Sequence, residues 1–204
     1  NSINIDHELH IAANNRFSII IVGSSEVGKT CILNSFLHDE FSDETDKTVC
    51  ANFHDKALNI DESVVKIGVW DTGGDEKYRS IIKGFYKNVK GVVFVFNLCD
   101  DNSFIKVKEY VDEIKKEIGP VASILLGNKN DLYHQRTISS EEIEEYEKEV
   151  NIKYFEVSAK KHNTIKEAFD YLIKETLYRD KISYYKIHNN TESEKKKVKN
   201  CNIF

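Results

Sequence analysis

Three short segments carry residue types at spacings that suit phosphate, metal and purine chemistry. Gly23-Ser24-Ser25-Glu26-Val27-Gly28-Lys29-Thr30 fits the pattern G-x-x-x-x-G-K-[ST]. In such a loop the glycines let the backbone wrap round a phosphate, and successive N–H groups point inward as an anion nest. Lys29 would neutralise the β- and γ-phosphates, and the Thr30 hydroxyl would ligate Mg²⁺. A helix beginning there adds its positive N-terminal end, so Gly23, Ser25, Glu26, Val27, Gly28 and Cys31 join Lys29 and Thr30 as expected phosphate-side neighbours. Alone, this motif says only nucleoside triphosphate, and leaves kinases and ATPases open.

The second segment, Asn128-Lys129-Asn130-Asp131, pairs with Ser158-Ala159-Lys160 further on. A carboxylate can accept two hydrogen bonds from the N1–H and 2-amino edge of guanine. Adenine lacks that donor pair and would leave a buried Asp131 unpaired, which is a strong rejection. Asn128 can bond both base and neighbouring loops, and the Lys129 stem can lie over the ring. The third segment is Asp71-Thr72-Gly73-Gly74. There Asp71 would hold Mg²⁺ through water, and the Gly74 N–H would meet a γ-phosphate.

These segments need elements to hold them, and the hydrophobic pattern supplies candidates. Phe17–Val22, Gly91–Leu98, Val121–Leu126 and Ile152–Val157 read as strands, while Ala51–Ile60 and Val64–Trp70 read as an antiparallel hairpin turning at Asp61-Glu62-Ser63. Helical spacing covers Thr30–His38, Glu76–Lys87, Asn102–Ile118, Ser139–Val150 and Thr164–Tyr178, and the polar stretch Asp39–Lys47 reads as a loop. Strands alternating with helices predict an α/β fold with a mostly parallel sheet. Ligands bind such sheets at the carboxyl ends of the strands, where each motif falls.

Taken in order, GSSEVGKT, WDTGG, GNKND and VSAK make the chain resemble the Ras superfamily of small GTPases over about residues 15–180. KIGVWDTGGDEKYRSI and FYKNVKGVVFVFNL are most similar to the Rab branch. The resemblance implies a three-layer P-loop GTPase fold with a six-stranded, mostly parallel sheet, one antiparallel strand and about five helices. It implies GTP and GDP as bound nucleotides, with Mg²⁺ held by Thr30, Thr48 and Asp71. Thr48 is then the first-switch threonine, and Phe41 the aromatic against the guanine ring. Lys29, Thr48, Gly74 and the residue at 75 form the catalytic set.

Asp75 stands where Ras-like proteins place the catalytic glutamine. An ionised aspartate only accepts hydrogen bonds, and sets negative charge beside an anionic phosphoryl group, where donors and cations are needed. Slow hydrolysis is expected. Gly73 replaces the usual alanine, which is read as loosening the hinge, while Cys50 and Asn52 alter the first-switch segment. The resemblance further implies a trafficking switch, with effectors near Thr48 and Gly74–Ser80, an exchange factor and a GTPase-activating protein. A non-hydrolysing GTP-binding module is the second reading. A P-loop kinase or ATPase is the third, opposed by Asp131 and by the lack of a lid or acceptor site.

Composition narrows the classes. The 204 residues carry a net charge of −5, with 40% hydrophobic and 31% charged residues, which suits one globular domain. Four widely spaced cysteines argue against a disulfide scaffold. Residues 181–204 hold six Lys against two Glu, so this end is basic while the body before it is strongly acidic. The chain reads as an extension over 1–14, a GTPase domain over 15–180 and a basic tail over 181–204. Cys201-Asn202-Ile203-Phe204 forms a C-a-a-X box whose Phe favours geranylgeranylation by a prenyltransferase, and Lys195–Lys199 precede it. One lipid chain plus a polybasic cluster supplies two membrane signals. A cytoplasmic monomer cycling to the cytosolic face of membranes is expected. Nucleic acid is not, since the positive charge is confined to one end.

Overall fold

A computed structural model describes residues 16–42, 46–60 and 63–180. The extension over 1–14, the turn at Asp61-Glu62, and the tail over 181–204 with Lys195–Lys199 and Cys201 lie outside the described residues.

The architecture follows from alternating apolar side chains on strands buried on both faces. Strand β1 (Arg16–Val22) sits in the middle of a six-stranded sheet. Its Ile19 and Ile21 enter one core cluster, while Ile20 and Val22 enter the other. Strands β2 (Ala51–Ile60) and β3 (Ser63–Thr72) form the hairpin, antiparallel from Ile60↔Ser63 to Ala51↔Thr72. With β4 (Gly91–Asn97), β5 (Ala122–Asn128) and β6 (Lys153–Glu156) the sheet order is β2-β3-β1-β4-β5-β6, parallel everywhere except the hairpin.

Helices cover both faces, which makes three layers. Helix α1 (Lys29–His38) and a helix over 162–180, here α5, cover one face, where Phe36 stacks on Phe169 at 4.0 Å. Helices α2 (Arg79–Tyr86), α3 (Asp101–Ile118) and α4 (Ser140–Val150) cover the other through Ile82, Phe104, Val107 and Ile143. Among the described residues no helix is long and apolar enough to cross a membrane.

Helix ends obey local chemistry. Asp100 accepts from the Asn102 N–H to start α3, and Gly119 at φ 73° ends it before Pro120. Ser139 caps α4 by accepting from the Glu142 N–H. The single helix expected over Glu76–Lys87 is instead a 3₁₀ turn (Glu76–Tyr78) followed by α2. The division falls at Tyr78, whose φ of −98° and ψ of 0° depart from the α-helical values, while Asp75 caps the start of the turn.

Truncating Phe169 to alanine removes the ring stacked on Phe36 beneath the α1–α5 face. Chemical denaturation at fixed saturating nucleotide should show a loss of about 3–5 kcal/mol.

Candidate functional site

The carboxyl ends of β1, β3, β5 and β6 open on one edge of the sheet, and each motif lies at the end of one of them or just beyond it. The loop after β1 has three residues of positive φ: Gly23 at 153°, Glu26 at 66° and Gly28 at 93°. Gly28 is irreplaceable for two reasons: its φ is left-handed, and a Cβ would lie 2.5 Å from Asn128 Nδ2. Lys29 is buried, and its ammonium donates to the carbonyls of Gly23 (2.9 Å) and Ser24 (2.6 Å). Burial pulls its pKa down to about 8, against the opposing pull of Asp71.

Thr30, Thr48 and Asp71 come from three separate segments and converge on one point. The Thr30 hydroxyl donates to Asp71 Oδ2 at 2.8 Å, the Thr48 hydroxyl does so at 3.2 Å, and the two hydroxyl oxygens lie 2.9 Å apart. Asp71 is fully buried and its other oxygen, Oδ1, has no hydrogen-bond partner. Burial pushes its pKa up, while Thr30, Lys29 and Thr48 oppose the rise. Two hydroxyl oxygens around a buried carboxylate with an unpaired oxygen fit Mg²⁺. Among the described residues no group of three or more His, Cys, Asp and Glu side chains could hold a metal.

Beside these residues lies a cleft in two connected parts. One, of about 230 Å³, is lined by Ser25, Lys29, Thr30, Thr48 and Gly74. The other, of about 320 Å³, is lined by Phe41, Lys129, Asp131, Ser158 and Lys160, and Glu26, Gly28 and Cys31 line both. Asn128 staples the second part together: its Nδ2 donates to the Val27 carbonyl at 2.8 Å and its Oδ1 accepts from the Ala159 N–H at 3.2 Å. Asp131 Oδ1 accepts from the Ser158 hydroxyl at 2.7 Å. The Lys160 ammonium stands 3.9 Å from Asp131 Oδ2 and 5.2 Å from the Phe41 ring centre. Lys160 therefore accompanies Phe41 as a flat, cation-flanked wall.

Asp75 has a local role that sequence reasoning missed. Its carboxylate accepts from the Lys77 N–H at 3.2 Å and pairs with the Lys77 ammonium at 3.0 Å. Lys77 thereby holds the carboxyl below the usual carboxylate range. An aspartate immediately before a helical turn is the capping signal that could have revealed this. Gly74 lies directly on the phosphate loop, since a Cβ would meet Ser25 N at 2.1 Å.

Two neighbouring arrays were also not singled out. Phe53, Trp70 and Phe85 form an aromatic row across β2, β3 and α2, with ring centres 4.6 and 4.3 Å apart. Phe53 lies over Gly68, whose missing Cβ would fall 2.4 Å from the ring. Glu113 on α3 gathers Arg79 Nε (3.0 Å), Lys83 Nζ (3.0 Å) and the Tyr86 hydroxyl (3.1 Å), tying α2 to α3.

Comparison with known proteins agrees with this geometry. A model of the Ras family matches residues 18–178. The Ras-related protein Rab-1D of Dictyostelium discoideum is 33% identical over 154 residues, 75% of this chain and 76% of its own. The Ras-related protein Rab-13 of Bos taurus is 30% identical over 186 residues, 91% of each chain. The Ras-related protein Rab-39A of Mus musculus is 35% identical over 167 residues, 78% and 77% of the two chains.

Replacing Asp131 by alanine tests the purine half. It should cost roughly 10²-fold or more in affinity for guanine nucleotide and narrow the preference over adenine nucleotide, both measured by competition with a fluorescent analogue.

Proposed function

The chain belongs to the Ras family of small GTPases, and on that premise we propose that it is a Rab-like switch of membrane trafficking that binds GTP with Mg²⁺ and hydrolyses it slowly. The observation that carries the reading is the meeting of Thr30, Thr48 and Asp71 beside a phosphate loop, next to a cleft holding Asp131.

Each residue then has a role set by its chemistry. Backbone N–H groups of residues 25–30 cradle the phosphates, and Lys29 counters their charge. Thr30 and Thr48 hold the metal with Asp71, and bound Mg²⁺ supplies charge neutralisation at the phosphate oxygens. Asp131 reads the guanine edge, while Phe41 and Lys160 cover the ring. Gly74 offers its N–H to the γ-phosphate. Loss of that phosphate releases Thr48 and Gly74 and lets both loops relax.

Slow hydrolysis follows from Asp75. Its carboxylate is occupied by Lys77, and no amide stands at that position both to accept from the attacking water and to donate to the transition state. The same observation favours the second reading, a non-hydrolysing GTP-binding module. The aromatic row of Phe53, Trp70 and Phe85, lying between the two switch segments, supports an effector surface there. The tail supports a prenyl anchor on Cys201 aided by Lys195–Lys199.

Single-turnover hydrolysis of GTP separates the readings. Asp75→Gln should hydrolyse about tenfold faster or more, the scale expected of one added transition-state hydrogen bond. Asp75→Asn keeps a good cap but removes the charge, and should fall between wild type and Asp75→Gln. A glutamine variant no faster than wild type overturns the slow-hydrolysis reading. Because Lys77 lowers the Asp75 pKa, the group is ionised at any pH above the ordinary carboxylate value of about 4, so the ratio of Asp75→Gln to wild type should stay flat from about pH 5.5 to 8. Mass spectrometry of protein from its native cells should find Cys201 prenylated, and an unmodified Cys201 removes the anchor.

A further inference from the structure

The segment that leads to Phe41 starts at the end of α1, and a residue far along the chain holds that end. Three successive carbonyls there accept from side chains of other elements. Lys56 on β2 donates to those of Phe36 and Leu37, the latter at 3.0 Å. His162, 127 positions from Ser35, places its Nδ1 2.7 Å from the Ser35 carbonyl. The same nitrogen stands 3.0 Å from Asp39 Oδ1. A carbonyl and a carboxylate only accept, so Nδ1 carries a hydrogen and shares it between them. Asp39 itself closes α1 in the left-handed region, at φ 59°, with its N–H on the Ser35 carbonyl at 3.1 Å.

The two residues that meet here lie just behind the flat wall of the purine half. Asp39 stands two positions before Phe41, and His162 two positions after Lys160. Two short segments therefore touch twice. At the front the Lys160 ammonium lies 5.2 Å from the Phe41 ring centre, and at the back His162 meets Asp39 and Ser35. One side of this ring is firmly folded. The Lys161 N–H donates to the Ser158 carbonyl at 2.8 Å, and the Lys160 N–H to the Ser158 hydroxyl at 3.2 Å. The Thr164 hydroxyl then donates to the Lys161 carbonyl at 2.9 Å as α5 begins. Residues 40–42, on the other side, belong to no helix or strand.

We propose that His162 is a positioning residue for the purine wall: by tying the end of α1 to the loop after β6, it holds Phe41 over the base. This rests on reading the cleft as a guanine-nucleotide site. Asp39 is 70% exposed, and an exposed ion pair contributes little. Ser35 is buried, so the bond to its carbonyl carries most of the effect.

The test is the release rate of a fluorescent GDP analogue from the full chain, chased with excess GDP at fixed Mg²⁺. His162→Ala should speed release about three- to tenfold, the scale of one neutral hydrogen bond. His162→Asn places an amide N–H where Nδ1 stood, and should stay within about twofold of wild type. Phe41→Ala should speed release about tenfold or more by removing the stacked ring. Adding His162→Ala to it should change nothing further, because both act through one ring. Effects that multiply in the double variant overturn the route through Phe41. A His162→Ala no faster than wild type, beside a faster Phe41→Ala, overturns the proposal and leaves the guanine-site reading standing. An unchanged Phe41→Ala removes the stacking wall and the proposal with it. A wild type that retains no guanine nucleotide overturns the site reading and this inference together. Should the alanine variant fail to fold, His162→Gln takes its place, since its amide falls at the Nε2 position. A glutamine variant as slow as His162→Asn overturns the donor role of Nδ1.

Discussion

A buried carboxylate at the end of a central strand sets the terms for the rest of the site. Asp71 pairs in register with Ile21 of β1, so its position is fixed by the sheet and not by a loop. Burial destabilises its charge, and one oxygen has no partner. The other oxygen collects two hydroxyls, one from the head of α1 and one from the first-switch segment. Lys29, itself desolvated enough to be brought down to about 8, is the nearby countercharge. An anion that poorly satisfied, next to a cation that poorly solvated, is a site arranged for ions that arrive together: a divalent metal and the phosphates it accompanies.

The two halves of the cleft are built differently. In the purine half, Asn128 joins three loops through bonds to Val27 and Ala159, and Ser158 presets Asp131. These contacts are neutral or single-charge hydrogen bonds that tie the loop after β1, the end of β5 and the loop after β6 to one another. The phosphate half is lined by residues 46–48 and 72–74, with Gly73 lying against residues 48–50 and Gly74 against the phosphate loop. On the proposed reading, nucleotide identity would be read by the first half and the number of phosphates by the second.

What the sequence made legible was what repeats or what stands in a fixed local order. A continuous β-branched run placed Ile19 to Val22 on a buried strand, and Ser139 with Glu142 marked the start of α4. The G-x-x-x-x-G-K-[ST] spacing placed Lys29 and Thr30 at a turn into a helix. Contacts between residues far apart in the chain were not legible. Glu113 meets Arg79 and Tyr86 across 34 and 27 positions, and no local pattern announces such a partner. Gly73 shows the same limit more sharply. Its type suggested backbone freedom, and the three carbonyls that crowd its α-carbon are brought there only by the folded hairpin. Asp75 differs again: the capping signal was present, but its place beside the phosphate motif drew the reading toward catalysis.

The second switch is fastened at both ends, which limits what can move within it. At its start, Gly73 and Gly74 lie between the phosphate loop and residues 48–50. At its far end, Glu113 is 14% exposed and receives Arg79, Lys83 and Tyr86, with Lys106 pairing Glu76 nearby at 2.7 Å. Exposed ion pairs contribute little, but a network on a mostly buried carboxylate resists being broken one bond at a time. The span between these two anchors is short, from Asp75 to Tyr78. Phe53 and Trp70 stand on the hairpin and Phe85 on the fastened helix, so the aromatic row lies outside that span. A partner that docks on the row and also reaches residues 48–50 or 73–74 would touch the place where the two segments rest against each other.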